Sequence, residues 1–353
     1  MFNKQFKIGN RLIANGEPPY IIAELSGNHN GQYKRAIELI ELAKKNGADA
    51  IKLQTYTADS ITINSQNDEF QIKSGIWSGS NLYELYKNTS TPYNWFPGLF
   101  EKAKQVGLTI FSSPYDIDSV IFLEELDCPA YKIASNEFTD FMLIERVAQT
   151  KKPIILSTGT ATLDEIYKTV NYLNELGCRE YALLHCISAY PAPINEINLA
   201  VISELKKKFD IPVGLSDHTL GNIAAISAVV LGASIIEKHF TLKRTDAGPD
   251  STFSIEPDEL RVLCQECYDA FHALGSTKYG LKNIEKESPI FKRHFYSRIK
   301  INKGDAINLE NIKSVRARRG IDAVNYKNVI GLRALGDISE DQPIEWDMLS
   351  KDV

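Results

Sequence analysis

Two histidines, His218 in GLSDHT and His239 in EKHF, each stand at the end of an apolar run. Two neutral imidazoles brought side by side suit a divalent ion acting as a Lewis acid, with the remaining positions open to water. Glu237 shares the alternation of His239, so it should face the same way, as a third ligand or as a partner of the ligands. Lys52, Lys132 and Lys238 also lie within apolar runs, where an unpaired charge is rarely tolerated. Lys52 and Gln54 share a face, and Glu24, closing an earlier run, is the expected partner of Lys52. Serines gather at the same run endings: Ser112, Ser113, Ser135, Ser157, Ser188 and Ser216. Lysines, hydroxyls and backbone amides together make a cradle for a phosphorylated, anionic small molecule. The stretch STGT at 157–160 has the form of a phosphate-binding turn.

These residues need elements to aim them. The apolar runs cover 20–31, 49–56, 108–116, 130–135, 153–160, 181–188, 211–219 and 234–241. Amphipathic segments of helical length lie at 33–46, 93–107, 116–127, 139–150, 162–177, 195–209, 221–232 and 257–275. Thr162 and Glu165 form a capping box, and Pro257 with Asp258 and Glu259 opens the last helix. Runs that are apolar on both faces, alternating with helices, predict a parallel (β/α)8 barrel, in which chemistry collects at the C-terminal ends of the strands. Residues 1–19 predict a short hairpin that closes the bottom of the barrel.

The stretch 57–91 breaks this rhythm after the second barrel strand and contains Trp77, Tyr83 and Tyr86. A long insertion on the reactive face predicts a lid or a substrate wall. The barrel domain is expected over 1–280, a charged linker over 281–293 and a small β-rich domain over 294–353. In the small domain, short strands are expected at YSRIKI, KGDAI, ENIKSVRA, VIGLRAL and DQPIEWDML.

Bulk composition narrows the function. The chain has 353 residues, 43% hydrophobic and 24% charged, with a net charge of −5. That balance argues against nucleic-acid binding, which needs clustered positive charge. No apolar run approaches the roughly 18 residues of a membrane span, and the N-terminus lacks the apolar core of a signal peptide. Five scattered cysteines make no disulfide framework, so a reducing cytoplasm is the expected setting. Cys264 and Cys267 form a C-x-x-C inside a predicted helix with no second pair, which does not make a zinc site.

The motifs IIAELSGNHNG, IKLQTYT, YKIASNE, ILSTGT, LLHC, GLSDHT, EKHFTL and GPDSTFS, in this order, resemble the sialic acid synthase family. Within it, ELSGNHNG, IKLQTYT and LYELYKNTSTPYNWF resemble the pseudaminic acid synthase branch. The tail resembles that family's C-terminal antifreeze-like (SAF) domain. The resemblance implies an enzyme that condenses phosphoenolpyruvate with an amino sugar to give a nine-carbon 2-keto acid and phosphate. For this branch the sugar would be 2,4-diacetamido-2,4,6-trideoxy-L-altrose. Alternatives are the same reaction with N-acetylmannosamine or a legionaminic acid precursor.

Carried over by motif, Lys132, Ser135, Ser157, Ser113 and Ser216 would hold phosphoenolpyruvate. Ser188 would join them, in a position where the family has Asn. His218 and His239 would bind manganese, with magnesium or cobalt as alternatives. Glu24, Lys52, Gln54, Glu137, Tyr190 and Asp250 would line the sugar site, with Glu24 or Asp250 managing protons. Arg318 would reach the partner subunit's barrel in a domain-swapped homodimer, on a loop, RRGID, that lacks the family's Pro and second Gly. Two rival readings have other signatures. A Schiff-base aldolase on Lys52 or Lys132 would need no metal. A non-catalytic carbohydrate- or ice-binding protein would not keep the polar strand endings, and no threonine follows residue 294.

Overall fold

In the computed structural model the described residues are 3–73, 75–246 and 248–350. Residues 1–2 and 351–353, at the outer ends of the two expected domains, and Ser74 in the insertion lie outside them. The chain divides into two units, Met1–Gly275 and Ser276–Val353.

The first unit opens with an antiparallel hairpin of β1 (Gln5–Ile8) and β2 (Arg11–Ala14). The barrel strands are β3 (Tyr20–Glu24), β4 (Ala50–Thr55), β5 (Thr109–Pro114), β6 (Tyr131–Ile133), β7 (Ile154–Ser157), β8 (Tyr181–Cys186), β9 (Val213–Asp217) and β10 (Ile235–His239). All pair in parallel, and β10 closes onto β3. The residues of β3, β7, β8, β9 and β10 are buried throughout, as strands covered by helices must be.

The outer helices are α1 (Tyr33–Lys45), α4 (Phe96–Val106), α5 (Ile117–Glu125), α6 (Phe141–Ala148), α7 (Leu163–Glu175), α8 (Ala200–Phe209), α9 (Ile223–Val230) and α10 (Pro257–Leu274). Each turns an apolar stripe inward. In α1 that stripe is Ala36, Leu39, Ile40 and Ala43, at helical spacing. The capping box of Thr162 and Glu165 is formed at the start of α7, and Pro257 begins α10. The hairpin lies at the start of the strands, the bottom of the barrel. Ser234 Oγ donates to Ala14 O at 3.1 Å, and a Cβ on Gly9, φ +56°, would lie 2.9 Å from Thr109 Oγ1.

Within the insertion, α2 (Ala58–Ile61) and α3 (Leu82–Thr89) form, joined by a bridge between Gln71 and Asn81. α2, a single turn, is too short for periodicity to reveal, and α3 lies inside a stretch that is polar as a whole. Among the described residues no helix is long and apolar enough to cross a membrane.

The second unit has its own core, including Phe295, Ile301, Ile307, Ile312, Ile321 and Ile344. Of the five expected strands, two segments become regular strands, β11 (Arg293–Ser297) and β12 (Ile312–Arg316), which pair antiparallel. KGDAI, VIGLRAL and DQPIEWDML instead meet neighbours through single bridges at Ala306, Arg333, Ala334, Pro343 and Leu349. Proline has no N–H to extend a ladder, and Gly304 and Gly331 turn the chain at positive φ. A short helix, α11 (Tyr326–Val329), fills part of this module.

Alternation along β10 sends Glu237 and His239 inward and Lys238 outward. Lys238 Nζ lies 2.6 Å from both Asp217 Oδ2 and Thr219 O, fully buried. Asp217 Oδ1 accepts from Thr219 N and Oγ1. Lys238→Met leaves Asp217 buried without its counter-charge and should cost about 3–5 kcal/mol in urea unfolding. Adding Asp217→Leu should recover part of that loss. A single variant as stable as the parent would show the pair to be without structural consequence.

Candidate active site

A cavity of about 320 Å³ opens at the C-terminal ends of the barrel strands. Its floor is ionic. Lys52 Nζ lies 2.9 Å from Glu24 Oε2 and 3.5 Å from Glu237 Oε1, and Lys132 Nζ also lies 3.5 Å from Glu237 Oε1. Closure of the barrel makes this possible: Glu24 pairs in register with Lys52 on one side and His239 on the other. Gln54 Nε2 donates to Glu24 Oε1 at 2.8 Å and to Ser26 Oγ at 3.1 Å, and Ser26 Oγ donates to Asp250 Oδ2.

The environment splits the titration of these groups. Burial opposes the charge on Glu237, but Lys132 and Lys52 outweigh it and hold the carboxyl below its usual range. Burial raises Glu24 despite Lys52, and raises Asp250 despite Ser26. Burial pulls Lys132 down, while Lys52, facing two carboxylates, stays raised. Glu137, with Oε2 unpartnered, is pushed by burial to about 7.

Beside the lysines is a cradle of hydroxyls. Gly159 N donates to Ser135 Oγ at 3.1 Å. A Cβ on Gly159 would fill the cradle, 2.5 Å from Ser188 Oγ and 2.6 Å from Ser135 Oγ. Ser157 Oγ and Ser188 Oγ are buried with no hydrogen-bond partner among the described residues. Unsatisfied hydroxyls beside Lys132 suit an anionic ligand that would accept their hydrogen bonds.

The histidines converge. Their ring centroids are 5.4 Å apart. His218 Nδ1 donates to Ile187 O at 2.9 Å, which leaves the lone pair to Nε2 whenever the ring is neutral. His239 Nδ1 is buried without a partner, and burial holds its ring well below the ordinary histidine range. Tyr190 packs on His218 at 4.3 Å and Phe253 on His239 at 5.0 Å.

The remaining wall comes from the insertion. Ile61, Ile72, Trp77, Leu82, Leu85 and Tyr86 line the cavity. Trp77 Nε1 donates to Pro249 O at 3.2 Å, and Tyr56 and Thr89 hydroxyls meet at 2.8 Å, so the insertion is pinned to the barrel at its middle and near its C-terminal end.

One cavity therefore brings together Glu24, Lys52, Gln54, Lys132, Ser135, Glu137, Ser157, Ser188, Tyr190, Ser216, His218, His239 and Asp250. Two expectations change. Ser113 is fully buried behind the lining and holds Lys52 Nζ at 3.3 Å instead of facing the cavity. Glu237, expected as a third ligand or as a partner of the ligands, faces inward as the anion between two lysines and accepts from Ser216 Oγ. Arg318 lies in the second unit, where it was expected, paired with Glu287 at 2.8 Å. Sequence reasoning passed over Ser26, Tyr56, Tyr115 and Cys186, which also line the cavity. Cys186 had a signal: it shares alternation with Leu184 and directly precedes the serine-bearing loop.

The NeuB family model matches residues 39–279, and the SAF domain model matches residues 293–350. The chain is 43% identical over 319 residues to a pseudaminic acid synthase of Campylobacter jejuni, covering 90% of this chain and 93% of that one. It is 40% identical over 339 residues to the pseudaminic acid synthase of Helicobacter pylori, covering 96% and 99%. The crystal structure of N-acetylneuraminic acid synthetase from Leptospira borgpetersenii, in complex with citrate, matches with a TM-score of 0.72 at 33% identity, covering 80% of this chain and 94% of that one.

Glu137 yields a pH test. Its carboxyl is raised from 4.5 to about 7 in the folded chain. The stability it contributes is thus complete below about 4.5 and lost as pH rises through about 7. Glu137→Gln should be more stable than the parent at pH 8, by on the order of 1 kcal/mol for a carboxyl that keeps some contact with water. The advantage should fade by pH 5. Thermal melts at the two pH values decide it, and an equal difference at both would refute the assignment.

Proposed function

Because this chain belongs to the NeuB family, with a SAF domain following the barrel in sequence, we propose that it condenses phosphoenolpyruvate with 2,4-diacetamido-2,4,6-trideoxy-L-altrose and water, giving pseudaminic acid and phosphate. One observation carries the reading: a single cavity joins a lysine-and-serine cradle to two histidines with available ring nitrogens. The choice of sugar is supported by identities of 43% and 40% to two pseudaminic acid synthases over nearly the whole chain, against 33% to the Leptospira enzyme. Residues 1–280 would be the catalytic domain and 294–353 the SAF domain.

The two histidines fit a divalent cation: His218 keeps Nε2 free, and His239 Nδ1 has no other partner. Among the described residues no group of three His, Cys, Asp or Glu is arranged to hold a metal, so substrate and water would complete the set. When bound there, manganese, or magnesium or cobalt in its place, supplies Lewis acidity at the sugar aldehyde.

Lys132, Ser135, Ser157, Ser188 and Ser216 bind the phosphate and carboxylate of phosphoenolpyruvate and hold its C3 toward the sugar. C3 attacks the aldehyde carbon C1, forming the new C–C bond. Water adds to C2 of the former enol, and the tetrahedral carbon expels phosphate by C–O cleavage. Glu24 and Asp250, both raised by burial, exchange protons with the new hydroxyl and the attacking water. Lys52 holds Glu24 in place, and Gln54, Glu137 and Tyr190 line the sugar.

No arginine is among the residues lining the cavity. In a domain-swapped homodimer, Arg318 of each chain would reach the sugar in the other chain's cavity. Its exposed pair with Glu287 would be given up at small cost.

Phosphate release from phosphoenolpyruvate should require both the sugar and a divalent cation. Thorough chelation should lower turnover more than about 100-fold while leaving the far-UV spectrum unchanged. Full activity after chelation would refute the metal-assisted reaction. A product formed only from N-acetylmannosamine, read by mass spectrometry, would overturn the pseudaminic assignment and spare the family reaction.

The swapped dimer has its own test. His239→Ala and Arg318→Ala chains, each inactive alone, should regain about a quarter of parental activity after mixing and subunit exchange. Hybrid dimers then hold one intact site. No recovery in demonstrably mixed dimers would rule out the swap.

A further inference from the structure

The cavity has two unlike sides. One is the floor of lysines, carboxylates and histidines. The other is the insertion after β4, which contributes aliphatic and aromatic side chains. On α3, Leu82, Leu85, Tyr86 and Thr89 recur at helical spacing, all four line the cavity, and no residue of α3 is fully buried. An amphipathic helix normally seats its apolar stripe on a core. Here the stripe faces the cavity, joined by Ile61 at the end of α2 and by Ile72. The wall is held in place by the Trp77–Pro249 hydrogen bond and by the Trp77 ring against Tyr190 at 5.4 Å.

The reaction proposed above, on which this inference rests, forms its bond at the sugar's C1. That carbon belongs beside the histidines and Glu24 on the floor. A six-carbon aldehyde held at that end turns its distal carbons away from the floor, toward the insertion. We infer that Ile61, Ile72, Leu82 and Leu85 form the subsite for the sugar's distal methyl groups, the C6 methyl and the C4 acetamido methyl. They thereby select a 6-deoxy sugar over its 6-hydroxylated counterpart. A hydroxyl among these side chains gives up its water and gains no partner. An apolar pocket discriminates against an added hydroxyl only modestly, by about 10- to 100-fold.

The test compares 2,4-diacetamido-2,4,6-trideoxy-L-altrose with the same sugar carrying a 6-hydroxyl, in the parent and in Leu85→Gln and Ile72→Gln. Glutamine keeps helix propensity at Leu85, and neither position is fully buried. The parent should favour the 6-deoxy sugar by about 10- to 100-fold in kcat/KM. Each variant should shrink that ratio, by about 5- to 10-fold, with KM for phosphoenolpyruvate unchanged. A structural role alone would lower both sugars equally. Turnover without preference in the parent, or equal losses in the variants, overturns the subsite and leaves the proposed reaction standing. Failure to turn over either sugar refutes both.

Discussion

The site depends on the pairing of four buried charges. Glu24, Lys52, Lys132 and Glu237 come from four different strands and meet inside one barrel, away from water. An ion left alone there would carry a penalty of several kcal/mol, so each charge constrains the placement of the others. Glu237 is the hub, with one oxygen shared between two lysines. The hub exists because β10 closes the ring beside β3, which brings residues from the two ends of the barrel sequence together. The arrangement is also unequal. Lys52 is held at 2.9 Å by Glu24, whereas Lys132 has its carboxylate at 3.5 Å and is drawn down by burial. The looser lysine is the one that lies with the serine cradle, where an arriving anion would complete its pairing.

The same alternation that builds the floor also stabilises the scaffold. Along Glu237, Lys238 and His239, consecutive side chains face cavity, outer layer and cavity. The inward residues are left with unmet hydrogen-bonding capacity at Glu237 Oε2 and His239 Nδ1. The outward Lys238 is fully partnered by Asp217 and Thr219. Among the described residues, half of the unpartnered buried side-chain atoms belong to cavity residues, where an arriving ligand could meet them; others, such as Tyr20 Oη and His29 Nε2, lie outside the cavity lining.

Strand ends and loop supply different chemistry. The barrel strands end in charged and hydroxyl side chains because the ends of eight strands converge on one small volume, and their side chains cannot reach solvent elsewhere. The insertion after β4 is free of that constraint and contributes the apolar side. A polar site that must hold a phosphorylated acid and a deoxy amino sugar gains its two characters from two kinds of element.

Much of this was legible beforehand. The eight strands, their helices and the capping of α7 and α10 follow from local periodicity, and most of the expected residues do line one cavity. Ser113 was misjudged because strand parity tells inside from outside but not depth, and at Ser113 the inner face is already filled by Lys52. The pairing of Glu237 with two lysines was not legible because those partners lie on β4 and β6, far away in the chain. Ser26, Tyr56 and Tyr115 were missed because they follow strand ends, where alternation no longer holds. α2 is too short for its spacing to register, α3 is hidden in a stretch that is polar as a whole, and the bridges of the second unit are too isolated.

By itself the sequence determined which residues alternate inward, where strands end and which chemical groups stand there. Those properties are set by the two-residue period of a strand and the capping of the next helix, both local. Only the tertiary structure decided which groups pair, which remain unsatisfied and which wall is apolar. Those outcomes depend on ring closure and register, sums over many contacts between distant segments, and no local pattern encodes them.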